Sequence, residues 1–200
     1  MGYNCSSTQN NYNLAANISK EFKEGDEIIV TQIDHQCNIQ PWRSLARYGC
    51  VIKEVRLDPE TQQLDFDDYM SKLSDKTKLV AVNWAANGIG TITDVKKFID
   101  EAHKVGAFTV VDAVHYAAHL PIDVKAIDTD CLVCSPYKWF GPHMGLIYLK
   151  KEHLDRLEIN NAGAPDIAEG ARQFHMGTPQ YEHLRGCEAA VNFIASIGEK

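Results

Sequence analysis

The runs AFTVVDAVH (residues 107–115) and DCLVCSPYKWFGPHMGLIYLKK (residues 130–151) carry the reading of this 200-residue chain. The first closes an apolar segment on Asp112, and the second runs from one into Ser135 and Lys138. Apolar segments this continuous fit strands buried on both faces, and their alternation with helical patterns makes the fold a mostly parallel α/β sheet covered by helices on both faces. In such sheets ligands collect at the carboxyl ends of the strands. Asp112 and Lys138 end consecutive strands, so both are placed to face one cleft.

The flanking segments repeat the alternation. Ser6, Ser7 and Thr8 cap a first helix reaching about Phe22, and Gly25-Asp26 turns into the strand EIIVT. Asn38 caps a second helix with Pro41 in its first turn, running to Gly49, and the strand CVIKEVRL follows. LDFDDYMSKLS reads as a helix leading into KLVAVNW, whose polar end reaches Asn87; Asp94 starts a helix that stops at Gly106. After GLIYLKK, Glu158 to Arg172 has no periodicity and reads as loop, and a last helix spans roughly Tyr181 to Ile197.

Composition narrows the function classes. With 44% hydrophobic and 24% charged residues the chain is an ordinary globular one, with one domain as the default. No stretch approaches the roughly 20 apolar residues of a membrane helix, and MGYNCSSTQN resembles no signal peptide, so a cytoplasmic, intracellular location is expected. A net charge of −7 with scattered Lys and Arg excludes a nucleic-acid footprint. The six cysteines lie far apart and read as reduced thiols. Cys131 and Cys134 form a C-x-x-C inside an apolar strand, where positions three apart point to opposite faces, so they read as core residues and no metal site is expected.

Lys138, flanked by Pro136, Tyr137, Trp139 and Phe140, is expected to be poorly solvated. Desolvation favours a neutral amine, the form that attacks an aldehyde; taken alone, the residue would read as a surface lysine. Asp112 either pairs with a cation, as a buried carboxylate must, or caps the following turn.

Together, D-x-x-H at Asp112 to His115 and S-x-x-K-x-x-G-P at Ser135 to Pro142 resemble the cofactor site of the class V aminotransferase and cysteine desulfurase-like family, and the resemblance runs through nearly all of the chain. It implies the large domain of a fold type I transferase or lyase, incomplete at both ends: residues 1–200 as one domain, without the family's N-terminal arm, first strand and small C-terminal domain. It implies pyridoxal 5'-phosphate as cofactor, with Lys138 as the Schiff-base lysine and Asp112 on the ring nitrogen. His35, in TQIDHQCNI, would stack on the ring; Asn87 would contact the ring oxygen or the substrate carboxylate; His115 stands where relatives have Gln. Otherwise His35 is a polar strand-end residue, Asn87 a turn residue and His115 a satisfied histidine. Ser7, Thr8, Gln9 and Ser135 would hold the phosphate at a helix start. HMGTPQ, with Gly177 and Thr178, would reach the phosphate of a neighbouring subunit, implying a homodimer.

The implied substrate is a small amino acid. Sulfur or selenium removal from cysteine analogues leads, with a possible sulfur-acceptor protein; transamination, epimerisation and a non-catalytic cofactor-binding remnant or partner subunit are the alternatives. Tyr137 stands where desulfurases commonly carry His, and none of the six cysteines matches their nucleophile.

Overall fold

A computed structural model describes residues 1–157, 173–174 and 178–198. Its strands are β1 (Gly2–Asn4), β2 (Glu27–Thr31), β3 (Val51–Val55), β4 (Thr77–Asn83), β5 (Phe108–Asp112), β6 (Cys131–Cys134) and β7 (Gly145–Leu149). The helices are α1 (Ser7–Ile18), α2 (Gln40–Arg43), α3 (Phe66–Lys72), α4 (Val95–Lys104), α5 (Val124–Ile127), α6 (Lys151–Arg156) and α7 (Tyr181–Gly198). No helix among the described residues is long and apolar enough to cross a membrane.

The strands form one sheet in the order β1-β7-β6-β5-β4-β2-β3. β2 to β6 run parallel, and β7 and β1 close one edge with antiparallel pairings. Both faces are buried, as the unbroken apolar strands require. Leu79, Ala81, Val110, Cys131 and Val133 join Leu14, Ile18, Trp42 and Leu45 on one face. On the other, Val80, Val82, Val111, Leu132 and Cys134 pack with Tyr69, Phe98, Ile99 and Ala102. Cys131 and Cys134 therefore occupy opposite cores. Each fully buried Leu, Ile or Val contributes about 1.5–3 kcal/mol of transfer free energy, so these layers are the main favourable term.

Local chemistry sets the element ends. Asp65 and Asp94 cap α3 and α4 by accepting from the N–H groups of Asp68 and Lys97. Gly106 follows α4 at φ +75°. The second helix departs from the sequence reading: α2 has four residues, passes into a 3-10 turn over Ser44–Tyr48, and its N-cap is Ile39 with no side-chain cap bond. Asn38 points inward instead, because its amide is used by Asp34, Asn11 and Trp42. A strand, β1, precedes the first helix, and the stretch read as loop, Glu158 to Arg172, lies outside the described residues.

Two features fix the two ends of the sheet. At the carboxyl end, a Cβ on Gly145 would sit 2.1 Å from the Ser6 carbonyl carbon and 2.2 Å from the Ser7 nitrogen, so the start of α1 lies directly against β7. At the other end, Asp130 accepts from His103 and His153 Nε2, both at 3.0 Å, from the Thr109 N–H at 2.8 Å and its hydroxyl at 2.9 Å, and pairs with Lys150 at 3.1 Å. Burial opposes ionisation of Asp130, but the hydrogen bonds from His103 and His153 outweigh it and hold the carboxyl well below its usual range.

Gly145→Ala is expected to lower stability by about 3 kcal/mol, since backbone cannot yield as a side chain would, and the midpoint of urea unfolding measures it. Asp130→Asn is expected to cost a similar order, about 3 kcal/mol, at pH 7. The folded carboxyl titrates below its unfolded value of about 3.9, so its contribution is complete above that pH and disappears as pH falls. The gap between wild type and Asp130→Asn in urea should therefore narrow from pH 6 towards pH 3, and a constant gap would count against the linkage.

Candidate active site

Parallel strands deliver Asn83, Asp112 and Cys134 to one end of the sheet, and β7, running the other way, begins there at Gly145. The segments that leave these ends line an open cleft of about 630 Å³, mouth included, between Ser6, Ser7 and Thr8, the turn after β2 and the turn after β6. Of the residues singled out in the sequence, Ser7, Thr8, His35, Asn87, Asp112, His115, Ser135 and Lys138 all line it. Gln9 and Thr178 do not, and Gly177 lies outside the described residues. The Gln9 N–H is bound by the Ser6 hydroxyl, which is the cap of α1, at 3.1 Å.

The start of α1 is an anion-holding arrangement. The first N–H groups of a helix lack intrahelical acceptors and sit at the positive end of its dipole. Ser7 is buried, and its hydroxyl donates to the Cys134 carbonyl at 2.7 Å. Its single proton being used, the 2.8 Å contact with Ser135 has the Ser135 hydroxyl donating. Ser7 thus ties α1 to the end of β6 and faces the cleft with its backbone.

The floor is acidic. Asp112 is 5% exposed and Asp34 is 8% exposed, and neither forms an ion pair among the described residues. Asp112 accepts from the Val114 N–H at 2.8 Å and from the Cys37 thiol at 3.4 Å. Asp34 accepts from the His35 N–H at 2.7 Å and from the Asn38 side chain at 2.6 Å. Burial raises both carboxyls above the usual range; Asp112 adds to the rise of Asp34, whereas the Val114 and Cys37 donors partly offset that of Asp112. Cys37 is pushed well up by burial and by the two carboxylates, so its thiol stays protonated.

Above this floor, the Cys37 N–H donates to His35 Nδ1 at 3.1 Å, which leaves the proton of a neutral His35 ring on Nε2. His35 itself is exposed, as is Asn87 at the rim. His115 is half-buried with its ring edge-on to His119.

Lys138 corrects the sequence reading: it is exposed. It sits in a 3-10 turn over Pro136–Trp139 closed by the Gly141 N–H on the Pro136 carbonyl at 2.9 Å, with Phe140 at φ +69°. That left-handed step turns Phe140 outward to 79% exposure, so the aromatic neighbours do not enclose the amine. Lys138 Nζ stands 5.2 Å from the Tyr137 ring centroid, a ring that stacks on His143. Sequence reasoning passed over Ser6, Asp34, Cys37 and Tyr137 as cleft-lining residues. The signal for Asp34 and Cys37 lay in their spacing around His35: the tight turn Gln36–Asn38 brings positions 34, 35 and 37 to one place.

Comparison with known proteins adds a second line. The sequence pattern described as aminotransferase class-V matches residues 4–200. A cysteine desulfurase of Synechococcus elongatus is 36% identical over 192 residues, which is 90% of this chain and 30% of that protein. A cysteine desulfurase of Escherichia coli is 32% identical over 206 aligned positions, covering 96% of this chain and 50% of the relative. Among solved structures, the apo cysteine desulfurase of Thermococcus onnurineus superposes with a TM-score of 0.90 at 28% identity, over 98% of this chain and 52% of that one. The chain thus spans between about a third and a half of the length of these relatives.

The environment of Cys37 gives a direct check. At pH 8 the thiolate is the species that reacts, so iodoacetamide should modify exposed Cys5 at least about ten-fold faster than buried Cys37. Mass spectrometry of timed digests should show the difference vanish in urea.

Proposed function

The chain belongs to the class-V aminotransferase family, and from that membership we propose that it is the pyridoxal-phosphate-binding part of an enzyme acting on an amino acid, of the cysteine desulfurase or selenocysteine lyase kind. The observation that carries the reading is Asp112, a nine-tenths-buried carboxylate without an ion pair among the described residues, on the floor of a cleft whose walls hold an amine and a helix start. Pyridoxal phosphate combines a protonatable ring nitrogen, an aldehyde and a phosphate, and the cleft offers a counterpart to each: Asp112, Lys138 and the first turn of α1 with Thr8 and Ser135.

When bound, the cofactor withdraws electrons from the substrate Cα through its protonated ring. The residues divide the remaining work. Asp112 keeps the ring nitrogen charged by supplying the anion that burial otherwise disfavours. His35, which lines the cleft, would cover the ring, and the proton on its Nε2 would be the one available for transfer. Asn87 and His115 at the rim orient the ring oxygen or the substrate carboxylate. Lys138 holds the cofactor and, once released, moves protons at Nζ; its exposure leaves it free to swing between these positions. Thr178 would serve the phosphate of a second subunit in a homodimer, and a separate sulfur-acceptor protein would take the product sulfur.

One observation favours a second reading. The cysteine that lines this cleft is Cys37, and its thiol is held protonated against Asp112. It cannot act as the thiolate that takes sulfur from a substrate. Transamination or epimerisation, or service as a cofactor-binding subunit beside a complete partner, requires no such thiolate.

Mixing the purified chain with pyridoxal phosphate should give a visible absorption band that Lys138→Ala lacks. With cysteine and dithiothreitol added, the dithiol taking the sulfur and reducing it, wild type should release sulfide and alanine, and Lys138→Ala should be slower by about a thousand-fold. A band that cysteine shifts without sulfide release selects the second reading; no band in wild type rejects both.

A further inference from the structure

The mechanism above uses one of the two floor carboxylates and leaves the other without a task. Asp34 is as deeply placed as Asp112 and lines the same cleft. Cys37 joins them: it lies in the turn that Asp34 opens, and its thiol donates to Asp112 Oδ2. The groups around the pair can be counted by element. The turn supplies His35 and Cys37; β5 supplies Asp112, and the turn after it His115; the turn after β6 supplies Lys138. β4 and α1, which pack against the turn, contribute no charge there: they bring Asn83, the register partner of Asp112, and Asn11 and Thr8.

Two carboxylates in one desolvated site each disfavour the other's charge, so the one with fewer cationic neighbours is the one to hold a proton. A cofactor ring nitrogen would add a cation that meets one carboxylate. His35 and Lys138 act on Asp112 electrostatically, whereas Asp34 has only neutral donors. The Asn38 amide is fixed in that role. Trp42 Nε1, which can only donate, points at Asn38 Oδ1 at 3.2 Å, so Asn38 presents its NH2 to Asp34.

Resting on the pyridoxal-phosphate reading, we propose that Asp34 is a positioning residue that carries the site's proton. It stays a neutral acid while Asp112 is ionised, so that the charge facing the ring nitrogen is one and not two. The proton neither enters nor leaves during turnover; it defines which carboxylate the cofactor meets.

Infrared spectroscopy reads a protonated carboxyl directly, through a C=O stretch separate from that of carboxylate and shifted in deuterium oxide. Asp34 and Asp112 are the described carboxyls held above the usual range once burial and hydrogen bonds are both counted, so background from the other described carboxyls at pH 7 is small. Cofactor-loaded wild type at pH 7 should show the acid band, and loaded Asp34→Asn should lose it while keeping its visible cofactor band. Should Asp34→Asn not fold, Asp34→Glu keeps the acid and should shift the band. Loaded wild type without an acid band overturns the assignment, as does a band unchanged by either substitution. A wild type that takes up no cofactor, seen by the missing visible band, overturns the functional reading as well and is thereby told apart.

Discussion

A carboxylate held out of water with no counter-ion costs several kcal/mol unless something cationic arrives or a proton is taken up. Asp112 is in that position, and the surroundings that keep it there are what make the cleft. The same sheet shows the alternative at its other end. Asp130 is buried to a similar depth one strand away, yet two histidines, a threonine and a lysine satisfy it. Two aspartates of like burial differ in donors alone: one is a structural tie whose valences are filled, and the other is left to be completed by a ligand. That asymmetry between the strand ends, more than the presence of a pocket, separates site from scaffold, since a wider cavity does open beside Asp130, where His103, Lys150 and His153 are already taken up by the carboxylate.

Much of this was legible in the sequence because the physics is local. Unbroken apolar runs at 28–30, 79–82 and 131–134 admit little but strands covered on both faces, and Asp65, Asp94 and Gly106 mark helix ends through their own backbone chemistry. Features that depend on distant contacts were not legible. β1 is three residues at a sheet edge and has no periodicity to detect; its existence depends on β7. Asn38 looked like a helix cap because asparagine usually is one there, but burial against Asp34 and Trp42 prevailed over the local preference. Lys138 was expected inside because its neighbours are aromatic, but Phe140 takes a left-handed step and points outward, and Tyr137 stacks on His143, so the rings do not close over the amine. In the site, residue types were recoverable at the strand ends, whereas the pairing of Asp34 with Asp112 requires β2 and β5, separated by β4 in the sheet, to bring their following turns together.

The cleft is assembled from five stretches far apart along the chain, and the edge pairing sets when they meet. Gly2 pairs with Ile147, and the start of α1 rests on Gly145. A chain leaving the ribosome amino end first must therefore carry Gly2–Asn4 and the start of α1 unpaired until β7 has emerged, long after β2, β3 and β4 are free to associate. Domains generally gather from the amino terminus during synthesis, but here the start of α1, although translated before β2, is among the last parts to find its place. Until then the outer side of β6 presents a bare row of backbone donors and acceptors, an invitation to the wrong strand. The growing chain is thus most exposed to misassembly in the interval between translating Cys134 and translating Leu149.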